Sequence, residues 1–207
     1  MKMSFVVGVA VLLVANIQYG MASSSSTSGA VYTRWGRSKC REGATLVYSG
    51  FAGGSHYLHR GGAVEPICLP ENPQWGHDHT THAERGFVYG AEYETRSFGK
   101  LSKVQDHDVP CAVCEADGKK SVIVIPARKD CIEGWGKEYS GYLMTGRHEH
   151  VAASTYTCVD DHPKRLPGGR GNKDGYLFYP VEAQCGSLKC PPFKHNGVFL
   201  CVVCSKA

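Results

Sequence analysis

The chain has 207 residues, of which 42% are apolar and 20% charged, and it contains 25 glycines, 10 prolines and 10 cysteines. This length is enough for a substantial buried core, and low-complexity sequence is confined to one short stretch, so a wholly disordered protein is excluded. The formal net charge of +4 is too small to indicate a nucleic-acid-binding protein.

The first 22 residues have the organisation of a secretory signal peptide. A basic start containing Lys2 precedes an apolar run over residues 5–17, and small residues ending at Ala22 follow it. The run is too short for a transmembrane helix, which needs roughly 20 apolar residues. We therefore predict a signal peptide over 1–22, a secreted product without a membrane partner, and a flexible Ser-rich tether over 23–29. Loss of Lys2 leaves 22 basic against 19 acidic residues, a charge of +3.

The cysteine positions indicate an internal repeat of about 90 residues. Adding 91 to the number of Cys40 gives Cys131, and adding 90 to 68, 111 and 114 gives the cysteines at 158, 201 and 204. The intervening sequence agrees, since YSGF at 48–51 recurs as YSGY at 139–142, and CAVC at 111–114 recurs as CVVC at 201–204. We interpret this as a tandem duplication, with a first β subdomain over 30–118 and a second over 119–207.

Both halves have sequence patterns typical of β-structure. Short runs of β-branched, aromatic and apolar residues, bounded by Gly, Pro, Asn and Asp, predict strands at 45–48, 86–93, 121–125, 176–179 and 198–203. No apolar stripe of helical period persists for three turns, and the density of glycines over 166–175 predicts a loop. We therefore predict an all-β fold in which two tandem, disulfide-linked β subdomains pack as one globular unit.

The ten cysteines are predicted to form disulfides, because a secreted chain passes through an oxidising compartment. Residues i and i+3 of a strand point to opposite faces, so the two cysteines of each CxxC motif should bond different earlier cysteines, within or between the halves. A local Cys185–Cys190 bridge would complete the set. Zinc binding and a thioredoxin-like redox site are the alternatives. The predicted disulfide residues are Cys40, Cys68, Cys111, Cys114, Cys131, Cys158, Cys185, Cys190, Cys201 and Cys204.

A histidine cluster is the strongest candidate for a metal site. His77, His79 and His82 lie close together beside Asp78, and imidazole and carboxylate groups are good ligands for divalent cations. Their spacing matches no established zinc motif, however, and the cluster is absent from the second half. We favour a solvated polar loop, and we predict no metal and no cofactor.

The sequence offers no convincing catalytic centre. Glu92 and Glu182 occupy equivalent repeat positions, and paired carboxylates can hydrolyse glycosides, but equivalent positions in a repeat more often share a structural role. No nucleophile-elbow, phosphate-loop or dinucleotide-binding motif is present. We predict that the protein has no catalytic residues and is not an enzyme.

Several aromatic residues allow two interpretations. They could line a sugar-binding surface, or they could pack in the core and between the subdomains, which we favour for alternating strand positions. These residues are Tyr32, Trp35, Tyr48, Phe51, Tyr57, Tyr139 and Tyr142.

Seven segments resemble the C-terminal noncollagenous module of sponge-type short-chain collagens and related invertebrate secreted proteins. This module is in turn distantly similar to the duplicated, disulfide-linked C-terminal domain of type IV collagens. The segments are distributed over nearly all of the mature chain, and they comprise residues 29–40, 46–57, 68–75, 107–114, 139–146, 155–163 and 185–204. Only the Ser-rich tether precedes the module here, so we expect no fibre formation through a collagen triple helix.

The resemblance implies a secreted, non-enzymatic protein of the extracellular matrix that acts in structure, assembly or binding, including in a biomineral such as shell or skeleton. Its expected partners are matrix proteins or glycans, with a homo-oligomer also compatible, and nucleic acid is not expected. The alternative function is that of a secreted lectin or recognition protein that binds carbohydrate.

Overall fold

A computed structural model describes residues 28–76 and 85–207. The predicted signal peptide and all but the end of the predicted tether lie outside the described residues. The described part of the chain contains ten strands and one short 3-10 helix (Ser102–Val104), joined by loops. The strands are β1 Ala30–Trp35, β2 Thr45–Gly54, β3 Ile67–Pro70, β4 Tyr89–Tyr93, β5 Pro110–Ala116, β6 Ser121–Pro126, β7 Gly136–Thr145, β8 Thr157–Asp160, β9 Tyr176–Pro180 and β10 Leu200–Lys206.

All ten strands belong to one sheet with the order β6-β10-β7-β8-β1-β5-β2-β4-β9, and β3 pairs with β2 beside this path. In the first half, β5 lies antiparallel between β1 and β2, and β2 also pairs with β3 and β4. In the second half, β10 lies antiparallel between β6 and β7, and β7 also pairs with β8 and β9. The five strands of each half therefore pair in the same pattern.

The equivalence extends to strand bounds and to local irregularities. Adding 91 to the bounds of β1 and β2 gives those of β6 and β7, and adding 90 to β3 and β5 gives β8 and β10. The register of β2 against β5 shifts around Val47, and that of β7 against β10 shifts around Glu138, which is the equivalent position. A β-bulge thus lies at the same place in each half. Common ancestry of the halves remains our interpretation of the sequence.

Two glycines permit the close approach of neighbouring strands. A Cβ atom at Gly50 would lie 1.7 Å from the carbonyl oxygen of Leu69, and one at Gly141 would lie 1.8 Å from that of Val159. No side chain fits at either position, so the YSG motif is explained by the β2–β3 and β7–β8 pairings.

Two parallel pairings join the halves. β1 meets β8 at Trp35 and Val159, and β4 runs beside β9 over 91–93 and 176–178. Two buried clusters lie against the sheet. One contains Tyr93, Met144, Val159 and Phe178, and the other contains Tyr139, Val203 and several cysteines. Both clusters draw residues from the two halves, so the core is shared.

The all-β prediction is confirmed. Each of the five predicted strand segments overlaps an observed strand, although β4 begins at Tyr89 rather than at 86 and β10 spans 200–206 rather than 198–203. The loop predicted at 166–175 contains no strand. Within the described ranges, no helix has the length and apolar character needed to cross a membrane.

Candidate functional site

The ten cysteines form five disulfides, which confirms the predicted pairing of each CxxC motif with two earlier cysteines. No free thiol is left among the ten. The four bridges that the CxxC motifs make follow the same connectivity in both halves, and each of them lies within one half. The bridges are Cys40–Cys114 and Cys68–Cys111 in the first half, Cys131–Cys204 and Cys158–Cys201 in the second, and the local bridge Cys185–Cys190. Two of the bridges, Cys68–Cys111 and Cys158–Cys201, join two strands, and the paired sulfurs leave no thiolate among the ten to bind zinc.

The candidate metal ligands His77, His79 and His82 lie outside the described residues. Among the residues that are described, one group of three has ligand atoms close enough to hold an ion, namely Asp160, Asp161 and His162. Asp160 already receives two hydrogen bonds from the Arg34 guanidinium, at 2.6 and 2.9 Å, and His162 contacts Asp161 at 2.6 Å. The chain itself therefore supplies a cation to this group.

The two glutamates at equivalent repeat positions have different environments. Glu92 is buried, and its Oε1 accepts a hydrogen bond from the Lys173 backbone amide at 3.1 Å, whereas its Oε2 has no hydrogen-bond partner. Burial raises the pKa of Glu92 above its ordinary value. Glu182 is exposed and lines a separate cleft with Arg96 and Tyr179. The two side chains therefore do not form a matched carboxylate pair.

The packing interpretation of the aromatic residues is correct for some positions and wrong for others. Tyr32, Tyr139 and Tyr142 are buried. By contrast, Tyr48 and Phe51 are 37% and 43% exposed, although they occupy the positions equivalent to Tyr139 and Tyr142. The reason is that the second-half residues are covered by the first half, whereas no described part of the chain covers the first-half residues.

The interface that covers the second half combines aromatic contacts with an ion pair. Tyr32 stacks on Tyr139 with ring centroids 6.2 Å apart, and the Tyr139 hydroxyl donates to the Thr33 carbonyl at 3.2 Å. Arg34 on β1 pairs with Asp160 on β8. These contacts hold the edge of β1 against the edge of β8.

A second ion pair closes the same interface. Arg41 donates two hydrogen bonds to the buried Glu138 carboxylate, at 2.6 and 3.0 Å, and the Ser205 hydroxyl donates a third at 2.5 Å. Burial alone would raise the pKa of Glu138, but the hydrogen bonds from Arg41 and Ser205 outweigh burial and lower it. Arg41 therefore links the two halves through a charged carboxylate at the β7 bulge.

The face of the second half that the first half covers has an equivalent in the first half, and no described residue covers that equivalent face. We call it the back surface. The position of Glu138 corresponds to Val47, and Thr157 and Phe178 correspond to Ile67 and Val88. All three first-half residues are exposed. Strand β3, the equivalent of β8, pairs only with β2 among the described strands. The back surface consists of Val47, Tyr48, Phe51, Ile67 and Val88, and it includes both faces of β2, because Tyr48 and Phe51 are three residues apart in a regular stretch of the strand.

The part of the first half that covers the second half, namely β1 and Arg41, has an equivalent in the second half that covers no other described strand. We call this equivalent the front surface. Strand β6, the equivalent of β1, pairs only with β10 within the described chain. Arg34 corresponds to Ile125, and Arg41 corresponds to the exposed Ile132. With Pro70 at the position equivalent to Asp160, apolar residues thus replace both charged pairs of the internal interface at the two free surfaces. The front surface consists of the half-buried Ile123 and Ile125 and the exposed Val124 and Ile132.

Sequence reasoning missed these two surfaces, although the 91-residue offset contained the signal. Comparing the repeats position by position shows Val47 against Glu138 and Ile132 against Arg41. The comparison gains meaning only once Arg41 and Glu138 are known to contact each other. In a scan against protein-family models, no family model matches the chain.

Proposed function

We propose that this chain is a secreted, non-enzymatic protein of the extracellular matrix that acts by associating head to tail with further copies of itself. The observation that supports this proposal is the pair of free surfaces. The back surface of the first half and the front surface of the second half are the unpaired equivalents of the interface that joins the two halves within one chain.

The chemistry of both surfaces favours contact with a second copy. Exposed apolar residues are common at interaction sites, and an unpaired strand edge is a template for pairing with another strand. Val47 and Ile132 are 54% and 45% exposed, yet each stands where the internal interface has a charged partner. Docking β6 of one copy along β3 of the next would reproduce the β1–β8 pairing. Because the two surfaces differ, the contact is heterologous and yields rings or filaments.

Secretion and matrix location rest on further observations. Five disulfides indicate an oxidising compartment of the extracellular type. The signal-peptide pattern and the resemblance to noncollagenous modules of matrix proteins agree with this compartment. Residence in a biomineral matrix is the part of the proposal that rests on the resemblance alone.

Sedimentation of the purified mature chain over a range of concentrations tests the assembly. We expect the mean mass to rise with concentration, and we expect Phe51→Arg on the back surface to abolish the rise because it places a charge in an apolar contact. Val151→Arg is the matched control, because Val151 is 47% exposed and belongs to neither surface.

A wild-type chain that stays monomeric up to high micromolar concentration would refute head-to-tail assembly. Equal loss of association in both variants would show that added charge, rather than the back surface, governs the result. The matrix role is tested by fractionating source tissue, where the proposal expects the protein in the insoluble matrix. Sugar-inhibitable agglutination by the purified chain would instead support the lectin function.

A further inference from the structure

A basic cleft lies where the first half meets the Gly-rich loop of the second half. It has a volume of about 400 Å³, within the range of about 300–1,000 Å³ that is usual for ligand sites. Four cationic side chains and one carboxylate line it, together with a buried histidine. These residues are Arg96, Lys103, Asp106, His107, Arg165 and Arg170.

Backbone hydrogen bonds hold the two walls of the cleft together. The amide of Asp108 donates to the Gly169 carbonyl at 3.0 Å, the amide of Gly171 donates to the Asp106 carbonyl at 3.0 Å, and the Leu166 amide donates to the Asp108 carbonyl at 3.2 Å. A Cβ atom at Gly169 would collide with the Asp108 carboxylate, so glycine is required for this close contact. The loop predicted at 166–175 is therefore pinned to the first half on both sides of Arg170.

His107 orients one of the cleft arginines. Its Nδ1 lies 2.8 Å from the Gln105 carbonyl oxygen, which can only accept, so Nδ1 carries a proton. In the neutral tautomer, Nε2 then has a free lone pair, and the Arg165 guanidinium donates to it at 3.2 Å. Because His107 is buried, this contact directs an otherwise exposed guanidinium along the cleft wall.

The cations of the cleft are poorly neutralised by the chain itself. Arg96 approaches Asp106 at 3.8 Å, and neither Arg165 nor Arg170 has a carboxylate within ion-pair distance in the part of the chain that the structure describes. Like charges held side by side raise the free energy of the empty cleft, and a bound anion relieves this repulsion. Guanidinium groups also bind oxyanions through two parallel hydrogen bonds.

We propose that this cleft binds the sulfate groups of a sulfated polysaccharide. The cleft is open and polar, as a chain-like ligand requires, and its cations come from two segments that the fold holds at fixed positions. A single-stranded nucleic acid is disfavoured because the described residues that line the cleft offer no aromatic side chain other than His107 for base stacking. The cleft shares no residue with the front or back surface, so the proposal does not depend on head-to-tail assembly.

Salt-gradient elution of the full mature chain from immobilised heparin tests the proposal. We expect the wild-type chain to bind, and the double variant Arg165→Gln/Arg170→Gln to elute at a clearly lower salt concentration, because it makes fewer charged contacts with sulfate groups. The matched control is Arg60→Gln/Arg128→Gln, which removes the same charge from exposed positions outside the cleft.

Further ligands identify the anion. Hyaluronan carries carboxylates without sulfate, and a single-stranded oligonucleotide carries phosphates, so we expect both to bind more weakly than heparin. Equal binding of either ligand would overturn the assignment to sulfate, and equal weakening by the control variant would show that net charge alone is responsible. A wild-type chain that does not bind heparin would overturn the site itself. Sedimentation of the same variants keeps this outcome separate from the assembly, since the cleft variants should associate like the wild type.

Discussion

At the residue scale, two buried glutamates show how environment sets the charge of a side chain. Glu138 receives hydrogen bonds from Arg41 and Ser205 that lower its pKa despite its burial. Glu92 receives one backbone amide on Oε1, its Oε2 has no partner, and burial raises its pKa. The first carboxylate therefore stabilises the fold when charged, whereas the second imposes a cost when charged.

The two carboxylates should contribute to stability with opposite pH dependence. At pH 7, Glu138→Gln should lower the free energy of unfolding by about 2–3 kcal/mol, because the Arg41 guanidinium loses its charged partner in a partly buried site. A lowered pKa in the folded state means that the stabilisation is present above the ordinary glutamate pKa and disappears as the pH falls through the folded-state value. Urea unfolding with intact disulfides, measured from pH 7 to pH 3, should therefore bring the variant and the wild type together at the acid end.

Glu92→Gln provides the opposite case in the same measurement. A raised folded-state pKa means that the charged form is disfavoured at neutral pH, so the variant should be more stable than the wild type at pH 7. This advantage should vanish as the pH falls and Glu92 becomes protonated. Glu133→Gln is the control, because Glu133 is exposed and lies two residues from Cys131, and it should change the free energy of unfolding little. The same pH dependence in all three variants would contradict both assignments.

At the scale of elements, the close approach of β7 and β8 depends on Gly141. A Cβ atom added there would collide with the backbone of Val159, which cannot move without breaking the strand pairing. We expect Gly141→Ala to destabilise the protein by about 3 kcal/mol, as measured by urea unfolding, through strain at this crossing. Gly90→Ala is the control, because Gly90 also lies in a strand and a Cβ atom added there would have no described atom within 4 Å. Equal stability of the two variants would show that the sheet absorbs the contact.

The elements also show what the sequence could and could not predict. The segments that became β2, β4, β6, β9 and β10 are rich in β-branched and aromatic residues, so local pattern identified them. Strands β3 and β8 are only four residues long, and their identity as strands depends on pairing with β2 and β7, which local sequence does not encode. The cysteine offsets predicted that each CxxC motif bonds two earlier cysteines, but they left open which partner each cysteine takes and whether the bridges lie within or between the halves, because that depends on which strands are neighbours in the fold.

At the scale of the whole molecule, the front and back surfaces exist because each half has both sides of the internal interface. Only one side from each half is used within the chain, so the other side of each half stays free. The sequence repeat alone could not show this, because Arg41 and Glu138 are 97 residues apart and their contact is known only from the fold. Once this contact is known, we expect Ile132 of one copy to contact Val47 of the next copy, as Arg41 contacts Glu138 within one chain. The basic cleft was missed for the same reason, since Arg96 and Arg165 come from different halves.

This correspondence predicts that charges can be exchanged between copies. Val47→Glu should weaken self-association, because it buries a carboxylate in an apolar contact. Adding Ile132→Arg in the same chain should restore association, because the guanidinium of one copy would then meet the carboxylate of the next, as Arg41 meets Glu138 within the chain. Sedimentation measures both effects, and Val47→Glu combined with Val151→Arg is the control that adds a cation elsewhere. If Ile132→Arg restores the association of the Val47→Glu chain and Val151→Arg does not, the copies associate in the register of the internal interface. Restoration by both added arginines, or by neither, would exclude that register.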